Sequence, residues 1–330
     1  ELGTGGNRLK LHIIKGPALS GKTNYLVRVM EQTHRENPLY YTFLGPTGEF
    51  VKEFSEWFSR GLHSSVPRGS FMVIDQFADE VYGHTHQEMM YVDKHLLNVF
   101  IANILGSATQ KDLGPFYPLK DSPGLIAFVA EAVMQAKDEG EAALMARLAN
   151  DTARSLVKYA LRELDTVYRA KLYDTFDAYV KIDPEEIKDY LASRCSKTLF
   201  LDGFTNLSWA QMIFLSKVIP LFQETFMTLD PVYVDRERWS KFLESLSIQS
   251  VKVLYEELAS SPKAAGPLER LLKDQGPTVK LEGDFIQIAC FKDPEAELIQ
   301  VCRDIKRRIV DDGMKPGEIA VVLNNFSERA

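Results

Sequence analysis

Residues 16 to 23 read Gly16-Pro17-Ala18-Leu19-Ser20-Gly21-Lys22-Thr23 and satisfy every fixed position of the pattern G-x-x-x-x-G-K-[ST]. The chemistry of such a loop is phosphate binding. Its backbone N–H groups, here from about Ala18 to Thr23, converge on an anion, and the positive end of the following helix adds to their field. Gly16, Ala18, Leu19, Ser20, Gly21, Lys22 and Thr23 are therefore the candidate nucleotide-binding residues. Lys22 would place a point charge on the β- and γ-phosphates, and the Thr23 hydroxyl would be a ligand of Mg²⁺. The cofactors implied are ATP and Mg²⁺. The alternative, a plain glycine-rich turn, has to explain a match whose chance odds are roughly one in a hundred for a chain of this length.

A metal at such a site also needs a carboxylate at the end of a neighbouring strand. Two aspartates qualify: Asp75 closes FMVID and Asp202 closes TLFLD, each after four apolar residues. The residues alone leave both open. Hydrolysis further needs a group that orients the attacking water, often an acid beside the metal-holding Asp, but Gln76 and Gly203 are the followers here.

The elements that must position these groups can be read from periodicity. Leu11 to Lys15 is a β-type run into Gly16, and Tyr25, Leu26, Val29 and Met30 share a helical face after Thr23. Extended runs follow at 39–44 and 71–74, with a helix between them carrying Phe50, Phe54, Trp57 and Phe58, a set whose spacing marks core more than a base-stacking platform. From about Asp79 helical periodicity takes over, interrupted by a loop at 106–124. Strands resume at 198–201 and 225–229 around a helix through Trp209, Ile213, Phe214 and Val218. The expected fold class is α/β: a P-loop domain with a parallel sheet, discontinuous over 1–78 and 196–260, interrupted by a helical insertion at 79–195. A linker at 261–284, with the loop-like SSPKAAGP near its start, leads to a strand, helix and strand at 285–291, 294–310 and 319–323. Residues 285–330 are too few to close a second sandwiched sheet, so the chain reads as a fragment cut inside its next domain.

The bulk numbers narrow the function classes. A net charge of -7 excludes whole-surface attraction to nucleic acid, so a DNA contact must use a local basic surface or a partner. Arg154, Lys158 and Arg162, recurring every four residues, are the candidate DNA-binding stripe, set against a solvated helix face; Lys306, Arg307 and Arg308 carry the same ambiguity. No run of 18 apolar residues is present and ELGTGGNRLK lacks the apolar stretch of a signal, a cytosolic pattern. Cys195, Cys290 and Cys302 are scattered, which argues for packed thiols and against disulfides or zinc. His84, His86, Asp93 and His95 read as surface residues beside a turn, not as a metal constellation.

Several stretches together resemble one family. LGPTGEFVKEF, IDQFADEVY, LFLDGFTNLSWAQMIFL, FMTLD and FKDPEAELIQVCRDIKRRIVDDGMKPGEIAVVL follow the loop in the order seen in the B subunit of AddAB-type ATP-dependent helicase-deoxyribonucleases, relatives of the UvrD-like helicases. The resemblance spans nearly the whole chain and is weak through the helical block. It implies a RecA-like P-loop domain, a 1B-like insertion and the start of a second, 2A-like motor domain. It also implies a role at double-stranded DNA ends in recombinational repair, with DNA and a translocating A subunit as partners. It selects Asp202 as the Mg²⁺ aspartate and Gln211 as a nucleotide-side residue. Asp75 then matches a DNA-side motif, or else is an N-cap of a helix beginning near Phe77. Gly203 stands where active helicases carry the catalytic glutamate, and the fifteen residues before Gly16 lack the adenine-contacting glutamine, so weak or absent hydrolysis is implied. The family's nuclease domain, with its cysteine-held cluster, is not visible; Glu186-Ile187-Lys188 mimics its E-x-K element by coincidence. Two other classes stay open: a stand-alone P-loop ATPase or kinase using Asp75, with residues 79–195 as a substrate lid, and a binding scaffold whose loop holds nothing.

Overall fold

The computed structural model describes residues 9–16, 20–148, 150–168, 171–205, 207–230, 236–249, 251–258 and 289–321. The chain divides into two compact units, Glu1–Gln275 and Gly276–Ala330.

In the first unit the described strands are β1 (Lys10–Lys15), β2 (Tyr41–Gly45), β3 (Phe71–Val73), β4 (Met90–Tyr91), β5 (Leu172–Tyr173), β6 (Thr198–Leu201), β7 (Glu224–Leu229) and β8 (Lys252–Glu257). Six of them form one sheet in the order β3-β2-β6-β7-β1-β8, and every pairing within it is parallel. A parallel sheet needs helical crossovers on its faces, so its central strands are apolar on both sides. Alternation then sorts the side chains. Leu11, Ile13, Leu44, Met72, Leu199, Leu201, Met227 and Leu229 enter one core; Ile14, Tyr41, Phe43, Phe71, Phe200 and Phe226 enter the other. Helices α1 (Lys22–Glu36) and α2 (Gly48–Leu62) cover the second face through Leu26, Met30, Phe54 and Phe58. The aromatic helix set therefore is core, as its spacing implied, except that Trp57 is 45% exposed and Phe50 is only half-buried.

Between β3 and β6 the chain is helical: α3 (Ile74–Thr85), α4 (Lys94–Ser107), α5 (Gln110–Leu113), α6 (Pro123–Glu139), α7 (Glu141–Arg147), α8 (Asp151–Tyr168), α9 (Thr175–Lys181) and α10 (Pro184–Arg194). Helices α4, α6 and α8 bury a core of their own around Ile101, Leu105, Val129, Val133, Leu156 and Ala160. Helices α3, α9 and α10 instead pack in the core of the first sheet face, together with α11 (Trp209–Val218) and α12 (Arg236–Ile248). Buried polar ties join the blocks. Lys137 on α6 reaches Asp174 at 2.6 Å and Asp177 at 3.0 Å, and Tyr168 donates to Asp174 at 3.1 Å.

The differences from the sequence reading have local causes. Ile74 opens α3 instead of ending β3, because β3 pairs with β2 only through Val73. The segment 106–124 contains α5 and a 3₁₀ stretch at Gly114–Leu119, where Thr109 and Asp112 form a capping box that compositional reading passed over. Strand β8 was not foreseen: it is an edge strand of mixed polarity, held by its pairing with β1. The cysteines are exposed, not packed; Cys195 ends α10 in a left-handed conformation (φ 58°). In the second unit the helix Pro294–Val310 is present. Residues 289–291 and 319–321 are not strand, and the rest of the two expected strands lies outside the described residues. No helix among the described residues is long and apolar enough to cross a membrane.

One tie makes a pH prediction. Thr175 on α9 donates to Asp79 Oδ2 on α3 at 3.1 Å, while Asp79 Oδ1 is buried without a hydrogen-bond partner. Burial lifts the Asp79 carboxyl to about 7, opposed by the Thr175 bond and reinforced by the charges of Asp75 and Asp174. Because the folded state holds this proton more tightly, the stability it contributes is full below its ordinary value of 3.8 and is lost as pH rises through about 7. Asp79→Asn is expected to flatten the decline of Tm over that window and to gain on the order of 1–2 kcal/mol at about pH 8, the partial exposure of the group limiting the effect. Parallel Tm-against-pH curves for the two proteins would contradict this.

Candidate functional site

All strands of a parallel sheet end on the same edge, and ligands bind α/β sheets at that carboxyl edge. Here the ends of β2, β6, β7 and β1, four neighbours in the sheet, bring together Gly45, Asp202 with Gly203, Thr228 with Asp230, and the loop that begins at Gly16.

The loop is anchored from β1: Gly16 N–H donates to Leu229 O on β7 at 3.2 Å. A Cβ on Gly16 would lie 2.3 Å from Ser20 Oγ and 2.9 Å from Ser20 Cβ, so any larger residue there would displace the Ser20 side chain. Gly21, at φ 86°, turns the chain into α1 through the left-handed region. Helix α1 has no side-chain cap from Gly21 and no acid in its first turn, so no helix-borne negative charge competes for its positive end. Ser20 Oγ is buried with no hydrogen-bond partner, a donor positioned inside the loop. Ala18 and Leu19, both expected to contribute, lie outside the described residues.

Lys22 Nζ donates to Gly16 O at 2.5 Å and lies 4.0 Å from Asp230 Oδ2, with both side chains only 14% exposed. Burial lowers the Lys22 pKa, while Asp230 and Asp202 act to keep it charged.

Asp202 is 3% exposed. Thr228 Oγ1 donates to its Oδ1 at 2.5 Å, but Oδ2 is buried with no hydrogen-bond partner. Burial pushes its carboxyl above the ordinary range, opposed by the hydroxyls of Thr228 and Thr23, the Gly203 N–H and the Lys22 ammonium. A desolvated carboxylate with one lone oxygen and a threonine hydroxyl close by is a donor set that fits Mg²⁺, since a divalent cation would remove both the desolvation cost and the unsatisfied oxygen.

Asp75 sits elsewhere. It lies in the first turn of α3, not at its N-cap, which is Val73, and it accepts a hydrogen bond from Tyr179 on α9. Its carboxylate lines a cavity of about 330 Å³ with Asp138, Asp174, Tyr179 and Gln211, none of which belongs to the loop. Gln211 serves as a cap: Ser208 N–H donates to its Oε1 at 3.1 Å and its own N–H donates to Ser208 Oγ at 3.2 Å. Its side chain thus closes the N-terminus of α11 and borders that cavity, while Thr23 ends the loop and Asp202 follows β6 beside it. Thr228 and Asp230 were not singled out as site residues in the sequence, although FMTLD carried the signal, a third strand run ending in an aspartate.

The basic stripe on α8 is partly spent on neighbours. Arg154 binds Leu148 O at 2.7 Å and Asp151 at 2.8 Å, and Arg162 binds Glu163 at 2.8 Å, leaving Lys158 as the exposed cation of the three without such a bond. A local ion pair removes the net charge that a phosphate backbone would read. In the second unit, Arg307 lies 3.9 Å from Asp304 on an exposed helix face. His86 stacks on Tyr82 at 4.1 Å and His84 meets Tyr190 edge-on at 5.8 Å. Glu186 caps α10 by accepting from Asp183 N–H at 2.9 Å.

Neither a protein-family model nor a curated protein matches this chain.

Proposed function

We propose that this chain is the RecA-like, nucleotide-binding region of a helicase-deoxyribonuclease B subunit, and that it holds ATP·Mg²⁺ with little or no turnover. The observation that carries the nucleotide reading is the convergence of Lys22, Thr23 and the lone Oδ2 of buried Asp202 at one sheet edge. Lys22 would leave Gly16 O for a phosphate, the α1 amides would take the phosphate oxygens, and Asp202 with Thr23 would hold the metal. Mg²⁺, when bound, supplies charge neutralisation between the phosphates. Asp202 is followed by Gly203, so the chain position next to the metal aspartate carries no acid to orient water.

The assignment to DNA-end processing with a translocating A subunit in the cytoplasm rests on the ordered sequence stretches described above. In that role nucleotide occupancy sets the conformation of the region while the partner translocates. The kinase or lid alternative is disfavoured by Asp75, whose carboxylate is engaged with Tyr179 away from the loop.

Titration of the purified chain with fluorescent ATP in Mg²⁺ should saturate, with phosphate release near background whether or not DNA is added. A lack of saturable binding would favour the scaffold reading. Brisk DNA-stimulated release would overturn the claim of a holding site.

A further inference from the structure

We propose that Phe50 is the plug of this site: its ring fills the position from which a side chain following Asp202 would reach water, so that the pocket is non-hydrolytic by shape as well as by composition. The inference rests on the nucleotide reading above and adds a positioning residue to it.

The ring's place is fixed from two directions. Thr47 caps α2 by accepting from Phe50 N–H at 3.2 Å, which sets Phe50 in the first turn directly beyond the end of β2. Phe50 then packs beside Phe43 and Phe54, with ring centroids 6.4 and 6.1 Å away, so it is continuous with the aromatic core beneath. Strand β2 is the neighbour of β6, and the ring lies against Gly45, which ends β2, and Gly203, two residues past the end of β6. A Cβ on Gly203 would stand 2.6 Å from Phe50 Cζ and 2.9 Å from each Cε. A Cβ on Gly45 would stand 2.9 Å from Phe50 Cδ1 and 2.8 Å from Val51 Cγ2. Gly203 is also at φ 84°, a conformation L side chains rarely adopt.

A side chain at position 203 is thus barred by a ring and by the backbone. The absence of an acid there is not one substitution away from being reversed, because the space beside Asp202 is taken by an apolar ring. Removal of the ring should open the space and leave only the backbone cost of a side chain at φ 84°.

The test uses the chain with Gly203→Ala, Gly203→Glu, Phe50→Ala and the double variants, reading Tm, binding of fluorescent ATP with Mg²⁺, and phosphate release. Gly203→Ala and Gly203→Glu are expected to lower Tm by several degrees, and each loss should shrink by at least half in the Phe50→Ala background. Phosphate release should stay at background in Gly203→Glu and rise about tenfold or more in Phe50→Ala/Gly203→Glu. Additive Tm losses, or equal phosphate release from the single and double variants, would overturn the plug. Failure of the unmodified chain to bind ATP would strike the nucleotide reading instead, and the Tm cycle would still decide where the ring acts.

Discussion

Asp202→Ala is expected to abolish the Mg²⁺ dependence of ATP binding and weaken affinity in Mg²⁺ by about 10- to 100-fold, while Asp75→Ala leaves both unchanged. Each decade corresponds to about 1.4 kcal/mol, and losing the buried carboxylate beside Thr23 should cost one to two of them. Asp202 is placed to matter because its Oδ2 is buried without a hydrogen-bond partner and the hydroxyls of Thr228 and Thr23 act on the same carboxyl. Asp75 is committed to Tyr179 across α3 and α9, so its loss should lower Tm instead. Binding measured by titration in Mg²⁺ and in EDTA separates the two. An Asp75→Ala chain that loses Mg²⁺ dependence while Asp202→Ala keeps it would reverse the assignment and revive the lid enzyme.

The same carboxyl gives the binding a pH sense. Because burial raises the proton affinity of Asp202, protons compete with the metal at higher pH than they would at an exposed aspartate. Mg²⁺-dependent affinity should therefore fall on acidification earlier than an ordinary carboxylate would allow, and the fall should be missing in Asp202→Ala.

Lys22→Ala carries the second large effect. Charge-assisted hydrogen bonds contribute about 1.5–3 kcal/mol, so removal of the ammonium should weaken ATP by roughly 10- to 150-fold. The chain should still fold, since Lys22 stands at the mouth of α1, among its partners are Gly16 O and Asp230, and it belongs to none of the apolar cores. Ligand-induced stabilisation grows as the logarithm of one plus the ratio of ligand concentration to Kd, so the rise in Tm expected from ATP·Mg²⁺ in the unmodified protein should shrink or vanish in the variant. An unaltered rise would mean that the phosphates lie elsewhere.

Much of the scaffold was legible in the chain. The strands β1, β2 and β6 show themselves as apolar runs, and the helices after them as 3.6-residue periods, because each depends on residues close together in sequence. The loop from Gly16 to Thr23 was legible for the same reason: its function needs glycines, a lysine and a hydroxyl at fixed short spacing. The helical block between β3 and β6 was visible as a change of period, though α5 and its capping box were not. Edge strand β8 escaped because its alternation is weak and pairing with β1 is what defines it.

The site beyond the loop was decided only by tertiary structure. Periodicity offered Asp75 and Asp202 as equals, each ending an apolar run, and only the family resemblance favoured Asp202; burial beside Thr228, Thr23 and Lys22 is the physical difference between them. Gln211 matched a pattern but folds back to cap α11, and Phe50 looked like one more core aromatic until β2 and β6 paired and set its ring against Gly203. Motif and period are properties of neighbouring residues, fixed by backbone geometry over a few positions. Desolvation, an unsatisfied oxygen and an occupied space belong to groups from distant strands, and they exist only once the sheet has put those strands side by side.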